Sequence, residues 1–280
     1  MHNIITGAIM KFIITDLDGT LLHDDKQFNG ALLDQVLRQL ALTGDHFVIA
    51  TGRELKWVQK VFEGFTDRID IVASNGAVVK PLGQPAVKTM LSQDTLHDLQ
   101  AFLTERGPLP TGGLRTYTDT EMYLVDGMGQ IEDQTYTFMQ ELYGEIHQIS
   151  SLTEVPGPVT TVTGRWNVTP KDGTNMMERL NASGLPVFAT TSGYGTVDIL
   201  PDGVNKAVAL SQLVRRIDPA GPAQMVAFGD GMNDYEMLQA ADQGYVMPNS
   251  TAFLLEQPEF KHVAEDNNHD GVLKTIQSWA

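Results

Sequence analysis

Residues 12–20 read Phe-Ile-Ile-Thr-Asp-Leu-Asp-Gly-Thr, a short apolar run that is followed by an acidic turn. Consecutive apolar and β-branched residues are typical of a strand that is buried on both faces. Gly19 lets the chain turn with little steric penalty directly after Asp16 and Asp18. The stretch therefore predicts a buried strand that carries two carboxylates at its carboxyl end.

Strand and helix signals alternate through the first third of the chain and again near its C-terminal end. Apolar side chains at helical spacing predict helices over 30–42, 54–65, 205–217 and 232–240. Short apolar runs predict strands over 12–15, 47–50, 70–73, 225–228 and 244–247. Strands that are apolar on both faces and alternate with helices favour an α/β fold, in which a doubly wound parallel sheet forms a Rossmann-like core.

The middle of the chain differs from the two segments that flank it. Pro81-Leu82-Gly83 breaks the pattern, and the strands that follow alternate polar and apolar residues. Helices are predicted there over 94–105, 131–143 and 171–182. We therefore predict a core domain formed by residues 1–82 and 198–280, into which residues 83–197 are inserted as an α+β cap domain. The two junctions would act as hinges for the cap.

Polar side chains occur where several of the predicted strands end. In an open parallel sheet, ligands bind outside the carboxyl ends of the strands. Four such ends, from segments far apart in the sequence, carry polar residues: Asp16 and Asp18, Thr51 and Arg53, Asn75, and lastly Asp230, Asn233 and Asp234. Their convergence predicts a single site at this edge of the sheet.

The two aspartates after the first strand suit phosphoryl transfer. Because one residue separates them in a strand-exit loop, both carboxylates can approach one reacting centre. If Asp16 attacks phosphorus, Asp18 is near enough to protonate the leaving alkoxide and later to activate water. The backbone amides of Leu17 and Asp18 could hold the phosphoryl oxygens. The alternative is an acidic loop or a helix cap, since aspartate is common in both.

A second acidic pair, Asp230 and Asp234, brackets a predicted turn into a helix. Together with Asp16 these residues form an oxygen-rich set that suits octahedral Mg²⁺. Without a cation, three converging carboxylates would repel one another and a pKa would rise. Helix capping is the alternative, and it explains one of the two aspartates rather than both.

Lys206 and Thr51 are further candidate phosphate ligands. Lys206 begins a predicted helix, where its charge opposes the helix dipole unless an anion lies nearby. That conflict indicates a phosphate partner, and an exposed first-turn lysine is the alternative. Thr51 offers a hydroxyl donor at the second strand end, and capping of the following helix is its alternative.

These residues together resemble the haloacid dehalogenase superfamily and, within it, the Cof-type phosphatases with a class IIB cap. Four motifs in the family's order carry the resemblance: Asp16-Leu17-Asp18-Gly19-Thr20, Ala50-Thr51-Gly52-Arg53, Val204-Asn205-Lys206-Ala207, and Gly229-Asp230-Gly231-Met232-Asn233-Asp234. Two accessory signatures also match, Ser74-Asn75-Gly76-Ala77 and Asn267-Asn268-His269-Asp270-Gly271-Val272. The predicted insertion matches the family's cap in position and length. Ala207 and His269 depart from the family, which usually has glycine and often an acidic residue there.

The resemblance implies a magnesium-dependent phosphatase that hydrolyses small phosphate monoesters, such as sugar phosphates, through a phospho-aspartyl intermediate. Asp16 would be the nucleophile and Asp18 the general acid and base, while Thr51 and Lys206 would hold the phosphoryl group. The implied phosphate-binding set is Leu17, Asp18, Thr51, Gly52, Arg53, Asn75, Lys206 and Asn233. The implied metal site comprises Asp16, the backbone carbonyl of Asp18, Asp230 and Asp234. Asp234, with Asn233, would support the metal waters and orient Lys206.

Composition limits the partners that the sequence allows. The net charge is −16, from 19 Lys+Arg against 35 Asp+Glu, which would repel a nucleic acid over most of the surface. No apolar run approaches the ~20 residues that span a bilayer. The chain has no cysteine, and its first residues lack the features of a signal peptide. We therefore expect a cytoplasmic monomer or small homo-oligomer that acts on a small phosphorylated metabolite and starts at Met1 or Met10.

Three other functions can be compared with the residues that each of them would require. A phosphomutase would share the Asp16 and Asp18 chemistry and return the phosphoryl group to a sugar, although the cap favours hydrolysis. A non-catalytic phosphate-binding module would be expected to lose Asp16, Asp18 or Lys206, and all three are present. A Rossmann oxidoreductase is rejected, because an acidic loop follows the first strand instead of a glycine-rich fingerprint.

Substrate choice is predicted to depend on cap residues that face the core. Arg115 and Arg165 are candidate anion ligands, and Tyr117 or Trp166 could stack on a ring of the substrate. A surface or packing role is the alternative for each of the four.

Overall fold

The first segment of the chain builds one side of a mostly parallel sheet. The computed structural model describes residues 9–279 except Pro170, Tyr194 and Ala220, so the extension predicted before Met10 lies outside it apart from Ile9. The elements of this segment are β1 (Lys11–Thr15), α1 (Gly30–Thr43), β2 (His46–Ala50), α2 (Leu55–Val61), β3 (Asp70–Ala73), β4 (Val78–Lys80) and β5 (Val87–Lys88). The three strands predicted here are confirmed to within one residue.

The first helix shows how local sequence sets these boundaries. Asn29 precedes α1, and its Oδ1 accepts a hydrogen bond from the backbone N–H of Leu32 at 3.1 Å. Gly44 ends the helix in the left-handed region, with φ 74°, where a residue with a Cβ atom would be strained. The helical spacing of Leu32, Leu33, Val36, Leu37 and Leu40 predicted this helix, and all of these residues except the half-buried Leu32 are buried.

The second helix is shorter than its periodicity predicted. α2 ends at Val61, whereas the prediction continued to Phe65. Gly64 adopts φ 89°, which is a left-handed conformation that an α-helix cannot contain. Phe62 and Phe65 still pack towards the sheet, because the ring of Phe28 stacks on Phe62 with centroids 4.5 Å apart and meets Phe65 edge-on. The apolar spacing after Val61 therefore reflected burial and not helix.

The middle segment forms a second sheet with helices packed on it. Its elements are α3 (Gln93–Arg106), β6 (Leu114–Tyr117), β7 (Met122–Val125), α4 (Asp133–Tyr143), β8 (Ile146–Ile149), β9 (Val162–Arg165), α5 (Asp172–Asn181), β10 (Val187–Gly193) and β11 (Thr196–Pro201). The three predicted helices differ from α3, α4 and α5 by at most two residues at either end. Buried residues of this segment, Leu99 and Trp166 among them, pack into a core of their own.

The last segment returns to the first sheet. Its elements are α6 (Lys206–Ile217), β12 (Gln224–Gly229), α7 (Tyr235–Ala240), β13 (Gln243–Val246), α8 (Ala252–Leu255), β14 (Lys261–His262) and α9 (Gly271–Gln277). One continuous helix was predicted over 232–240, but a 3₁₀ turn at Met232–Asp234 precedes α7. The side chain of Asp234 accepts hydrogen bonds from the amides of Asp230 and Gly231, both at 3.0 Å, and so tightens the first turn. No helix in the described ranges is both long and apolar enough to cross a membrane.

Two sheets organise the part of the chain that the structure describes. The larger has the order β14-β13-β12-β1-β2-β3-β4-β5, with parallel pairing from β14 to β3 and antiparallel pairing from β3 to β5. The smaller has the order β10-β11-β9-β6-β7-β8 and is antiparallel apart from the pair β7–β8. The predicted α/β fold, with a Rossmann-like core and an inserted α+β cap, is confirmed.

Sheet membership bears on the predicted domain limits. β5 pairs with β4 in the larger sheet, although the insertion was predicted to begin at residue 83. β11 pairs with β10 and β9 in the smaller sheet as far as Pro201, although the insertion was predicted to end at residue 197. The limits stay a prediction, and we propose that they lie just after Lys88 and just after Pro201.

Both faces of the larger sheet are covered, because alternate residues of a strand point to opposite sides. Ile13 of β1 packs in the cluster that contains Leu33 of α1. Ile14, the next residue, packs in the opposite cluster with Leu213 of α6. The sheet is therefore a rigid support for the loops that follow the carboxyl ends of its strands.

Two leucines of α1 test the contribution of this packing. Leu33 is 0% exposed and Leu42 is 89% exposed on the same helix. We expect Leu33→Ala to lower the free energy of unfolding by about 2–5 kcal/mol, because it leaves a cavity in the core. Leu42→Ala, the matched control, should change it by less than about 0.5 kcal/mol. Urea unfolding followed by circular dichroism measures both, and equal losses would contradict the assignment of the buried face.

Candidate active site

The carboxyl ends of the core strands meet at a cavity of about 260 Å³ that the smaller sheet closes from the other side. Predicted site residues that line the cavity are Asp16, Asp18, Thr51, Gly52, Arg53, Asp230 and Asn233. Predicted site residues that are buried around it are Leu17, Asn75, Lys206 and Asp234. The smaller sheet contributes Arg115, Thr163, Thr196 and Asp198. The structure thus brings segments that are distant in sequence to one place.

Lys206 is the buried cation of the site. Its Nζ donates to Asp16 Oδ1 at 2.8 Å and to Asp234 Oδ1 at 2.6 Å, and its side chain is 1% exposed. Asn205 caps α6 by accepting from the N–H of Val208 at 2.9 Å, which fixes the lysine as the first helical residue. Burial alone would lower the pKa of Lys206, but the charges of Asp16 and Asp234 outweigh it and raise the pKa. Lys206 is therefore not the exposed first-turn lysine that the sequence left as an alternative.

The loop after β12 is held by short hydrogen bonds. Thr20 Oγ1 donates to Asp230 Oδ1 at 2.7 Å, which ties this loop to the one after β1. Gly19 lies between, with φ 79°, and a Cβ atom there would come within 2.5 Å of the Asp230 carboxylate. Burial and then the charge of Asp234 raise the pKa of Asp230 to about 7. Glycine is thus required at residue 19 both for its conformation and for this close approach.

Three carboxylates of the site could hold a metal ion. Asp16, Asp230 and Asp234 each present an oxygen, and these oxygens lie within 4.8 Å of one another. Burial raises the pKa of Asp16 well above its usual range, and the charges of Asp234 and Asp230 add to this effect while Lys206 opposes it. One lysine does not balance three carboxylates, so a hard divalent cation with oxygen ligands fits the cluster.

Asp234 differs from the other two carboxylates in its surroundings. One of its oxygens accepts from Lys206, and the other accepts from the amides of Asp230 and Gly231. Both oxygens are therefore already engaged by donors of the chain. This arrangement fits a residue that orients Lys206 and supports the cluster from behind.

Asp18 is held by two cations at the rim of the cavity. Arg53 donates from Nε and Nη2 to its two oxygens, both at 2.8 Å, and Lys26 Nζ lies 2.7 Å from Oδ1. Burial alone would raise the pKa of Asp18, but the hydrogen bonds and charges of Arg53 and Lys26 hold it well below its usual range. Arg53, predicted to bind phosphate, is thus paired with a carboxylate in this arrangement.

Thr51 is buried at the end of β2, with 1% exposure. Its Oγ1 accepts from the backbone N–H of Arg53 at 3.1 Å, which leaves the hydroxyl proton for another acceptor. The residue that precedes α2 is Glu54, so Thr51 does not cap that helix. The capping alternative for Thr51 is therefore wrong.

A chain of hydrogen bonds runs from the smaller sheet to the loop after β12. Thr163 Oγ1 donates to Asp198 at 2.8 Å, and Asn75 Nδ2 donates to the same carboxylate at 3.0 Å. Asn75 Oδ1 in turn accepts from Asn233 Nδ2 at 3.2 Å. Asn75 has φ 49°, a left-handed conformation that asparagine tolerates better than most residues. Asn75 thus joins the cap to Asn233, the residue that the resemblance placed beside the metal waters.

The C-terminal signature supports the loop after β1 from outside the cavity. Asn267 Nδ2 donates to the backbone carbonyl of Leu22 at 2.9 Å. Asp270 contacts His23 and Asn29, each at 2.8 Å, and so fixes the start of α1. His269, the departure from the family, pairs with Asp266 at the surface and does not line the cavity.

The four cap candidates separate into different roles. Arg115 lines the catalytic cavity, and its Nε donates to the hydroxyl of Tyr117 at 2.7 Å. Tyr117 lines a neighbouring cavity instead. Trp166 is buried in the core of the cap, where its Nε1 donates to the carbonyl of Pro108 at 2.8 Å. Arg165 pairs with Glu132 and is absent from the catalytic cavity wall.

Sequence reasoning missed three charged residues that line the catalytic cavity: Lys26, Glu54 and Asp198. Asp198 carries a signal, because it is the charged residue within the otherwise apolar run 197–200. No sequence signal marks Lys26 or Glu54, because their position at the cavity depends on how the loops after β1 and β2 fold.

Comparisons with known proteins match nearly the whole chain. A family model described as haloacid dehalogenase-like hydrolase matches residues 13–276. The Escherichia coli K12 protein named 5-amino-6-(5-phospho-D-ribitylamino)uracil phosphatase YbjI is 27% identical over 287 residues, with 95% of each chain covered. The structure of SMU.1108c from Streptococcus mutans UA159 has a TM-score of 0.84 at 23% identity, covering 96% of this chain and 98% of that one. The HAD subclass IIB sugar phosphatase BT4131 has a TM-score of 0.75 at 18% identity, covering 96% and 99%.

The raised pKa of Asp230 makes stability without metal depend on pH. Its folded pKa is about 7 and its ordinary value is 3.8, so the folded protein binds more protons between these values. With EDTA, stability should therefore fall as the pH rises through this window. Asp230→Asn should give a shallower fall, and Mg²⁺ should raise the melting temperature more at about pH 8 than at about pH 5.

Thermal melts over this pH range, with EDTA and with Mg²⁺, measure both effects. Asp67→Asn is the matched control, because Asp67 is exposed and far from the cavity wall. An Asp230→Asn protein with the same pH slope as the parent would contradict the assignment of the pKa to this carboxylate.

Proposed function

Because the chain belongs to the haloacid dehalogenase-like hydrolases, we propose that it works as a magnesium-dependent phosphatase with Asp16 as its nucleophile. The enzyme is a phosphatase that acts on small phosphorylated metabolites. The proposal adds the metal, a phospho-aspartyl intermediate and a role for each residue. The observation that carries it is the buried pair of Lys206 Nζ and Asp16 Oδ1, 2.8 Å apart, beside a cavity that also contains Asp230.

The first step joins Asp16 to phosphorus. Lys206 holds Oδ1 of Asp16, so Oδ2 is the oxygen that attacks. As the new oxygen–phosphorus bond forms, the bond from phosphorus to the leaving oxygen breaks, and that oxygen needs a proton. Fixing the nucleophile by a buried lysine keeps it in position for attack, which is a large part of the work in phosphoryl transfer.

Asp18 supplies the proton in this proposal. Arg53 and Lys26 hold its carboxylate and keep its pKa low, so it is ionised and has no proton to donate before substrate arrives. An incoming phosphate dianion competes for the same two cations, and their departure would raise the pKa of Asp18. Its carboxylate can then take up a proton from solvent and pass it to the leaving alkoxide. In the second step it takes a proton from the water that attacks phosphorus, which breaks the bond to Asp16 and releases inorganic phosphate.

The transferring phosphoryl group needs donors for its equatorial oxygens. The proposed donors are the amides of Leu17 and Asp18, the hydroxyl of Thr51 and the ammonium of Lys206. Gly52, Arg53, Asn75 and Asn233 complete the predicted phosphate-binding set around them. Leu17 is fully buried in the core, which anchors the backbone whose amides would hold the phosphoryl group.

Mg²⁺ is the cation proposed for the carboxylate cluster. The carboxylates of Asp16 and Asp230 and the backbone carbonyl of Asp18 would hold it, and Asp234 and Asn233 would support its waters. The bound ion supplies neutralisation of the negative charge that the phosphate brings to Asp16. The raised pKa values of Asp16 and Asp230 support this proposal, because a cation is needed to keep both carboxyls ionised near neutral pH.

A phosphate monoester of a sugar or a similar metabolite is the proposed substrate. One relative is named for a phospho-D-ribitylamino uracil and one structural neighbour is a sugar phosphatase. Apart from Asp16 and Asp230, which are proposed to hold the metal, the cavity wall carries equal numbers of basic and acidic residues: Lys26, Arg53 and Arg115 against Asp18, Glu54 and Asp198. Such walls suit a leaving group without strong charge of its own.

Replacement of the nucleophile gives a direct test. Asp16→Asn should lower kcat by more than about 10³-fold, because the amide cannot form the phospho-enzyme. The fold should persist, since the change removes one of several buried carboxylates without altering its shape. Phosphate release at saturating substrate and a thermal melt measure the two properties. Asp67→Asn is the control, and an Asp16→Asn protein that keeps more than about a tenth of the activity would refute the mechanism.

A phosphate-release screen tests the activity itself. We expect release from at least one of sugar phosphates, nucleotides, pyridoxal phosphate and flavin mononucleotide with Mg²⁺, and none with EDTA. Adding a hexose bisphosphate separates a phosphomutase, which would interconvert two sugar monophosphates and release little phosphate. Turnover that EDTA leaves unchanged would contradict the role of the metal.

A further inference from the structure

A second cavity of about 260 Å³ lies beside the catalytic one, between α2 and the smaller sheet. Core residues Glu54 and Lys88 form one side of it, and cap residues Tyr117, Tyr143 and Thr161 form the other. We call this space the distal cavity. The phosphoryl transfer proposed above uses no residue of the distal cavity.

Three residues of the distal cavity carry a buried polar atom without a hydrogen-bond partner among the described residues: Glu54 Oε2, Tyr143 OH and Thr161 Oγ1. Buried polar groups are nearly always hydrogen-bonded, because an unpaired one costs free energy. Burial raises the pKa of Glu54 and of Tyr143, so the phenol stays neutral. A hydrogen-bond donor from a ligand would stabilise the Glu54 carboxyl. Three unpaired groups around one cavity indicate a ligand with matching polar groups.

The two cavities share a wall. Glu54 lines both of them. Arg115 lines the catalytic cavity and donates from Nε to the hydroxyl of Tyr117, which lines the distal cavity. The two cavities therefore adjoin at Glu54, which a substrate with its phosphate against Asp16 would have to pass to reach the distal cavity with its other end.

The charges around the distal cavity favour a neutral ligand. An ammonium group would be repelled by Arg53 and Arg115, whose charges already act on Glu54. A second phosphate or a carboxylate would meet Glu54 and Asp119. Hydroxyl groups both donate and accept, so they can pair with a carboxyl oxygen and with neutral hydroxyls alike.

Contacts between core and cap lie beside the distal cavity. Lys88 pairs with Asp119, and Lys56 Nζ donates to the carbonyl of Thr120 at 3.3 Å. The same Lys56 ammonium lies 4.7 Å from the centre of the Tyr143 ring. The distal cavity thus lies between core and cap, and a ligand in it would contact both.

We propose that the distal cavity binds the far hydroxyl groups of a polyhydroxylated leaving group, so that long polyol phosphates are better substrates than short ones. This inference rests on the proposed phosphatase function at Asp16. Tyr143 and Thr161 determine this specificity, and Glu54 contacts the middle of the substrate.

Two substrates of different length test the proposal. Glucitol phosphorylated on a terminal hydroxyl reaches the distal cavity, whereas glycerol phosphate occupies the catalytic cavity alone. Tyr143→Phe and Thr161→Val should each lower kcat/KM for the glucitol ester by about fivefold, the effect of one lost hydrogen bond, and leave it unchanged for the glycerol ester. Tyr136→Phe is the matched control, because Tyr136 lies on the same helix and lines neither cavity.

Each outcome decides between the inference and the function on which it rests. Unchanged turnover of the glycerol ester shows that a variant is folded, so a loss confined to the glucitol ester supports the distal cavity as a binding site. Equal losses for both esters, or no loss for either, would overturn it. A parent enzyme that releases phosphate in the screen above but hydrolyses neither ester would overturn the inference alone. One that releases phosphate from no compound of the screen in Mg²⁺ would overturn the proposed function, and the inference with it.

Discussion

The buried contact of Lys206 with Asp16 and Asp234 is the interaction on which the rest of the site depends. A lysine without exposure must be paired, because an isolated buried ammonium would lose its proton or unfold the protein. Its two partners come from the loops after β1 and β12, so the contact holds α6 against both strand ends. The same contact leaves negative charge in excess, since Asp230 joins the cluster without a lysine of its own. The same buried contact thus holds the site together and leaves the excess negative charge that the proposed cation would balance.

Close packing of backbone against side chains keeps these loops in place. Gly19 lets the loop after β1 pass against the carboxylate of Asp230, and Gly76 lets the turn after β3 pass against the carbonyl of Asn205, just before α6. A Cβ atom would come within 2.5 Å of its neighbour at Gly19 and within 2.4 Å at Gly76. Asn75, beside Gly76, donates a hydrogen bond to Asp198 of the cap and accepts one from Asn233 in the loop after β12. One asparagine therefore links the cap to the loop after β12.

Much of the fold could be predicted because its signals are local. Buried parallel strands are apolar on both faces, and β1, β2 and β3 were located to within one residue for that reason. The end of α2 was missed, since apolar spacing continued through Phe65 while Gly64 had already left the helical region. The limits of the cap were also placed differently from the sheet boundaries. β5 pairs with β4, and β11 pairs with β10 and β9, so each sheet continues past the point at which the residue pattern changes.

The sequence by itself determined the α/β architecture, the inserted cap and the carboxylates, threonine and lysine of the phosphoryl-transfer motifs. Those features depend on residue type and spacing, which can be read along the chain. Only the tertiary structure decided that Arg53 and Lys26 hold Asp18, that Asp198 reaches Asn75 and that Glu54 stands between two cavities. The first contact joins two loops of the core, and the other two depend on the packing of the cap on the core. Burial in these places sets the charge of the residues. We therefore expect the choice of leaving group to depend on the space between the two sheets and not on any single motif.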